Sequence, residues 1–115
     1  MMWTARILMF FALGLCLAGP ATANKVYQGR EAAALRCAAI LSVVPSAAAR
    51  AGYLQQDQVR AFHIVSTMIM TRYVSGDPQQ KGQAFNTVMQ RYTFNEHIRD
   101  FRTKSSACMK QFPVR

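Results

Sequence analysis

Apolar side chains recur every three or four residues along most of the chain after residue 23, which is the spacing of one helical face. No stretch alternates apolar and polar residues as a half-buried strand does. We therefore predict an all-α fold, a small bundle of about four helices. The predicted helices are 24–44, 54–75, 78–92 and 94–112. Ser66 falls opposite the apolar stripe of the second helix, which predicts a solvent-facing position. We expect Phe85, Val88 and Met89 of the third helix, and Phe94 of the last, to face the core.

The predicted boundaries rest on local signals. Pro45 should end the first helix, because the residue before a proline avoids helical geometry, and Gly76 suits the end of the second. The segment 77–80 (Asp-Pro-Gln-Gln) has the composition of a helix start. Thr93 and Glu96 have the spacing of a second capping box, which either starts a new helix or lies in a bend of one long helix.

Residues 1–23 have the three parts of a secretory signal peptide: a basic start, an uncharged apolar run and a small-x-small end. Signal peptidase needs small side chains at two alternate positions, which Ala21 and Ala23 supply. We expect cleavage after Ala23, leaving one helical domain, 24–115, in the periplasm or outside the cell. An uncleaved membrane anchor is the alternative, although the apolar run is shorter than the roughly 20 residues of a spanning helix.

The predicted mature chain retains two cysteines, Cys37 and Cys108. Each lies on the apolar face of its helix, Cys108 in register with Phe101 and Phe112. Two cysteines in an oxidising compartment indicate one disulfide. We predict a Cys37–Cys108 bridge that links the first and last helices.

The excess of positive over negative side chains indicates an anionic partner. The chain has 14 Lys and Arg against 5 Asp and Glu, and the predicted mature part loses only Arg6 of these. Outside the cytoplasm, anionic partners are lipid head groups, cell-wall polymers and acidic proteins. We therefore expect an acidic envelope protein as partner and no nucleic acid, with peripheral contact to an anionic membrane as a further option.

The last predicted helix carries the strongest candidate contact surface. Arg99, Arg102 and Lys110 share a face with Asn95 and Ser106, opposite the phenylalanines. We call the three cations the α4 basic face. On the same helix, Asp100 and Lys104 are four residues apart and should pair.

No catalytic or metal-binding set is evident. His97 and Cys108 are eleven residues apart on one predicted helix, roughly 16 Å along its axis, too far for a thiol–imidazole pair. The motifs of serine hydrolases, zinc proteases and phosphate-binding loops do not occur. The two histidines and two cysteines are too scattered for a typical zinc site. We expect no enzymatic activity, no cofactor and no bound metal.

Small size, export, one disulfide and a basic face favour a non-enzymatic protein-binding module. In general plan the chain is similar to the small helical immunity proteins of secreted cell-wall hydrolases, a likeness that implies an inhibitor or immunity-type role. The chain also resembles small acid-resistance chaperones, which are helical and have one disulfide. That resemblance implies a periplasmic stress chaperone as an alternative. A second alternative is an accessory subunit of a membrane complex, anchored by residues 1–23.

Overall fold

A computed structural model describes residues 25–114, which form four α-helices without a strand. The helices are α1 (Gly29–Arg50), α2 (Gln56–Tyr73), α3 (Pro78–Arg91) and α4 (Phe94–Gln111). The all-α fold of about four helices is confirmed. The predicted signal peptide and its cleavage residues, Ala21 and Ala23, lie outside the described residues.

Helix α1 is the centre of the molecule, and each of the other three helices packs against it. Its residues 37–41 are consecutive in sequence and all buried, so they cover the whole circumference rather than one stripe. Two of them are alanines, Ala38 and Ala39, which let neighbouring helices approach closely. The core cluster combines α1 with single large side chains from its neighbours, notably Ile69 and Phe112.

The contact between α1 and α2 includes a buried hydroxyl. We predicted Ser66 on the solvent face of α2, but it is 5% exposed and donates a hydrogen bond to the Ala38 carbonyl at 2.7 Å. That prediction was wrong because the hydroxyl finds an acceptor on α1, so that its burial leaves no unpaired polar group.

Pro45 does not end α1, contrary to the prediction. The helix continues to Arg50, and Pro45 is fully buried. Proline cannot donate the helical hydrogen bond to the Leu41 carbonyl, a loss that burial of its ring in the core offsets. The next carbonyl, that of Ser42, links this turn to α2. The Ser46 hydroxyl donates to the Ser42 carbonyl at 2.9 Å, and His63 Nε2 lies 3.3 Å from that carbonyl. Burial of Pro45 therefore keeps the last turns of α1 helical, and the contact with His63 holds them against α2.

Both predicted capping boxes are present. The Asp77 carboxylate accepts from the Gln80 amide at 2.8 Å, and the Gln80 side chain accepts from the Asp77 amide at 3.0 Å. Thr93 and Glu96 form the same reciprocal pair, at 3.2 and 2.8 Å. Thr93 has extended backbone, so α4 is a separate helix rather than the continuation of α3.

The Cys37–Cys108 disulfide is confirmed, with 5.7 Å between the two Cα atoms. It links α1 to the last turn of α4. Just beyond it, the Arg30 guanidinium donates to the Gln111 carbonyl at 3.2 Å, which places a cation at the negative end of the helix. Phe112 is buried in the same region. The last turn of α4 is therefore held by covalent, polar and apolar contacts.

Helix α3 is attached differently, since none of its residues is fully buried. The residues that we predicted to point inward, among them Phe85, Val88 and Met89, are only half-buried. Phe94, also predicted to face the core, is 49% exposed. It is the first residue of α4, at the turn from α3, where its helical register faces solvent.

The loop between α2 and α3 is tied to the start of the described chain. The Tyr27 hydroxyl donates to the Ser75 carbonyl at 2.7 Å, and the Ser75 amide donates to Glu31 at 2.7 Å. We predicted that Gly76 caps the end of α2, but the capping position is Val74, in an extended conformation. Gly76 has φ of +102° instead, so it allows the loop to turn beneath Tyr27.

Candidate functional site

The most developed polar cluster lies where α1, α3 and α4 meet. Arg36 of α1 donates two hydrogen bonds to one carboxylate oxygen of Asp100, from Nη2 at 2.6 Å and from Nε at 3.2 Å. Its guanidinium carbon lies 3.6 Å from the centre of the Tyr92 ring. Asp100 is 6% exposed and Arg36 15% exposed at the side chain. We call Arg36, Asp100, His97 and Tyr92 the junction cluster.

His97 completes the junction cluster. Its Nδ1 lies 2.7 Å from Nη1 of Arg36, and its Nε2 lies 3.0 Å from the Met89 carbonyl. Because the guanidinium can only donate and the carbonyl can only accept, both contacts are satisfied by the neutral imidazole with its proton on Nε2. Both ring nitrogens are thus engaged in buried contacts, so His97 is poorly placed to exchange protons with a substrate.

Asp100 is held ionised by its surroundings. The hydrogen bonds from Arg36 are the largest cause of its lowered pKa, and the charges of Arg36 and Lys104 act in the same direction against burial. Lys104 Nζ lies 3.5 Å from the carboxylate, so the pair predicted from their spacing is confirmed. The main partner of Asp100 is nevertheless Arg36, 64 residues away in the chain.

Every carboxylate of the described residues is used within the fold. Asp77 and Glu96 take part in capping boxes, Asp57 accepts from the Gln58 amide, and Asp100 pairs with Arg36. Glu31 accepts from the Ser75 amide. Hydrogen bonds from Ser75, from its side chain first and then its backbone, lower the pKa of Glu31; the backbone hydrogen bond from Thr93 is the largest cause of the lowered pKa of Glu96.

The α4 basic face is exposed, as its sequence register indicated. Arg99, Arg102 and Lys110 all lie at solvent-accessible positions. Arg99 is 3.8 Å from Asp100 and 4.0 Å from Glu96, so its charge is partly balanced. Among the described residues, Arg102 and Lys110 make no salt bridge. The outward positive charge of α4 is therefore concentrated at these two residues.

A Ser–His contact that the sequence did not indicate joins α1 to α2. His63 Nε2 lies 2.8 Å from the Ser46 hydroxyl, which itself donates to the Ser42 carbonyl. In this arrangement the Ser46 proton points to a backbone carbonyl, and the imidazole serves as the donor to Ser46. A catalytic histidine would have to accept that proton instead. The contact is therefore a polar link between helices, and nothing in the chain spacing could have revealed it.

The residues that could hold a metal are dispersed. Cys37 and Cys108 are joined to each other, and His63 and His97 lie at separate places. Within residues 25–114, no group of three or more histidine, cysteine, aspartate or glutamate side chains converges on one point.

A cleft of about 590 Å³ lies between α1 and α3 and is bordered by the start of the described chain. Leu35, Ala84 and Val88 are among its apolar lining residues. Its charged lining residues are Lys25, Arg36 and Arg91, and no carboxylate belongs to the lining. We call it the α1–α3 cleft. It arises because α3 rests on α1 without fully burying any of its own residues.

Helix α1 is long and apolar enough to cross a membrane by length and composition, and half of its most apolar window is buried within the protein. The core helix of a soluble protein meets the same criteria. In this fold α1 is the helix on which the other three pack. The disulfide is consistent with an oxidising, exported location.

Comparison of the chain with protein-family models, with curated proteins and with solved structures found no match.

Proposed function

We propose that the protein is a non-enzymatic binding module of the periplasm or the extracellular space, which binds an acidic protein partner through the α4 basic face. An inhibitor or immunity-type role towards an envelope enzyme fits this class of module. The exported location rests on residues 1–23 and is consistent with the disulfide.

The observation that carries the proposal is that the negative side chains are bonded within the fold, whereas cations on α4 are not. All five carboxylates of residues 25–114 accept bonds within the fold, while Arg102 and Lys110 point outward without a salt bridge. A surface with unbalanced positive charge attracts negative partners, speeds their association and disfavours positive ones. Because the disulfide ties α4 to α1, the backbone positions of these two residues are set before binding, which reduces the entropy lost on binding.

The two alternatives are less well supported. An acid-activated chaperone needs carboxylates that lose their charge as the pH falls, whereas the pKa values of Glu31, Glu96 and Asp100 are all lowered. An anchored accessory subunit depends on residues 1–23, which lie outside the described part of the chain.

The test is capture from an envelope extract of the native host under non-reducing conditions, followed by reconstitution with the purified candidate partner. The double variant Arg102→Glu/Lys110→Glu should reduce the affinity of the reconstituted complex at least about tenfold, because two rim charges are reversed. Arg60→Glu/Arg72→Glu, on exposed positions of α2, changes the net charge equally and is the matched control.

We expect the α2 control to stay within about threefold of the wild type, and the affinity of the wild type to fall with rising salt concentration. Equal loss in both double variants would mean that binding follows total charge rather than the α4 basic face. A partner with no acidic surface would also contradict the proposal.

A further inference from the structure

The α1–α3 cleft combines an apolar wall with positive charge. At about 590 Å³ it falls within the range of sites that bind small organic molecules. Leu35 lies deep on the α1 side, and the half-buried Ala84 and Val88 line the α3 side. The side chains of Ala84 and Val88 still expose apolar surface, which a ligand of matching character would remove from water.

The three cations that line the cleft differ in whether they already have partners within the fold. Arg36 is neutralised by Asp100 and engages three of its five N–H groups in the junction cluster. Lys25 donates to the Ser75 hydroxyl and lies over the Tyr27 ring. Arg91 lies in the last turn of α3, is exposed, and has no salt bridge among the described residues.

We infer that the α1–α3 cleft binds an amphipathic carboxylate, a molecule with one anionic head and an unbranched apolar chain. The guanidinium of Arg91 receives the carboxylate, for which its planar pair of N–H groups is well suited. The apolar chain lies against Leu35, Ala84 and Val88. This inference concerns a different site from the α4 basic face and does not depend on a protein partner.

Complementarity of charge selects this ligand class over others. An apolar ligand without a charge would leave the cationic side of the cleft unused, and a cationic one would meet Lys25 and Arg91 with no carboxylate to balance it. A small anion such as acetate would miss the apolar wall. The ligand should also stabilise α3 against local opening, because it covers the half-buried face of that helix.

The experiment is a titration of the oxidised protein, from residue 24 onward, with decanoate below its micelle concentration. Amide chemical shifts in ¹H–¹⁵N spectra report the site, and calorimetry reports the affinity. Decanol and acetate serve as ligands that lack the charge and the chain, respectively. We expect saturable binding of decanoate with shifts concentrated at Ala84, Val88 and Tyr92, and at least about tenfold weaker binding of the other two ligands.

Two variants make the assignment specific. Arg91→Gln should weaken decanoate binding at least about tenfold, whereas Arg72→Gln, an exposed cation of α2, should leave it within about twofold. Ala84→Met should weaken binding by filling the apolar side of the cleft. Circular dichroism of each variant checks that the helices are intact. Arg102→Glu/Lys110→Glu should bind decanoate as the wild type does, which separates this site from the proposed protein interface.

The inference is overturned if decanoate does not saturate, if the shifts are spread over all four helices, or if Arg91→Gln and Arg72→Gln have equal effects. Equal affinity for decanol would show that Arg91 does not receive the head group. Equal affinity for acetate would show that the apolar wall plays no part.

Discussion

Helices α3 and α4 both pack on α1, but by different means. Helix α4 is joined to α1 by the Cys37–Cys108 disulfide and by the Arg36–Asp100 ion pair, in which Asp100 is buried and Arg36 largely so. Helix α3 has no fully buried residue and rests on half-buried apolar side chains.

The difference between these helices separates two kinds of candidate site. The rigid attachment of α4 fixes a charged outer surface that is suited to a partner protein. The looser packing of α3 leaves a cleft that is suited to a small ligand. Substitutions that remove the bonds of α4 should therefore cost far more stability than changes in α3.

The disulfide should give the largest effect. The double variant Cys37→Ala/Cys108→Ala opens a loop of 71 residues, for which loop-closure entropy predicts a loss of about 4 kcal/mol in unfolding free energy. Urea unfolding followed by circular dichroism measures this loss. Wild-type protein treated with a reductant should behave in the same way. A loss below about 1 kcal/mol would mean that the remaining contacts already hold α4 in place.

The ion pair should give the second largest effect. Asp100→Asn removes the carboxylate and leaves Arg36 with a charge that is 15% exposed and unpaired, a change that costs about 3 kcal/mol at neutral pH. Lys104→Gln removes only the exposed partner of Asp100 and should cost less than about 0.5 kcal/mol. Similar losses in both variants would show that Arg36 is not the main partner.

The same ion pair predicts a pH dependence. Because the pKa of Asp100 is lowered in the folded protein, its stabilising effect is complete above the usual value of 3.8 and is lost as the pH falls through the lower, folded value. The difference in unfolding free energy between wild type and Asp100→Asn should thus be constant from pH 5 upward and shrink below about pH 4. A difference that does not change on acidification would contradict this assignment.

Two glycines at the α3 end should respond in opposite directions. Gly76→Ala should cost about 1–2 kcal/mol, since φ is +102° and a Cβ would lie 2.8 Å from both the Tyr27 hydroxyl and the Gln80 amide oxygen. Gly82→Ala, inside α3 with no neighbouring atom within 4 Å of the new Cβ, should stabilise by about 0.5–1 kcal/mol. Thermal unfolding of both variants tests this contrast, and a stabilising Gly76→Ala would contradict it.

The capping residues should give smaller effects than Gly76→Ala. Asp77→Ala at α3 and Thr93→Ala at α4 should each cost about 1 kcal/mol, because each removes a side-chain acceptor for a helical amide. Replacement by serine at either position should restore most of the loss. If serine fails to restore it, the side chains stabilise by some means other than capping.

The sequence predicted the features that depend on residues close together in the chain, and it missed those that depend on residues far apart. The capping boxes at Asp77 and Thr93 are signals within four residues, and the Cys37–Cys108 pairing had no competitor once the segment 1–23 was set apart. The α4 basic face could be read from helical register alone. These features need no knowledge of the tertiary fold.

The errors lie where a distant residue changes what a local rule implies. Pro45 stays helical because its ring is buried against the neighbouring helices, which no local signal shows. Ser66 is buried because Ala38 offers an acceptor. The pairing of Arg36 with Asp100 joins residues 64 apart, and no local pattern distinguishes Arg36 from the other arginines.

Native-state hydrogen exchange tests the contrast between the two helices most directly. In the oxidised protein, amides of α4 near Asp100 and Cys108 should exchange only through global unfolding, with a free energy of opening equal to that from urea unfolding. Amides of α3 between Gln83 and Thr87 should exchange through local opening, with a free energy at least about 2 kcal/mol lower. Equal protection of α3 and α4 would contradict the account.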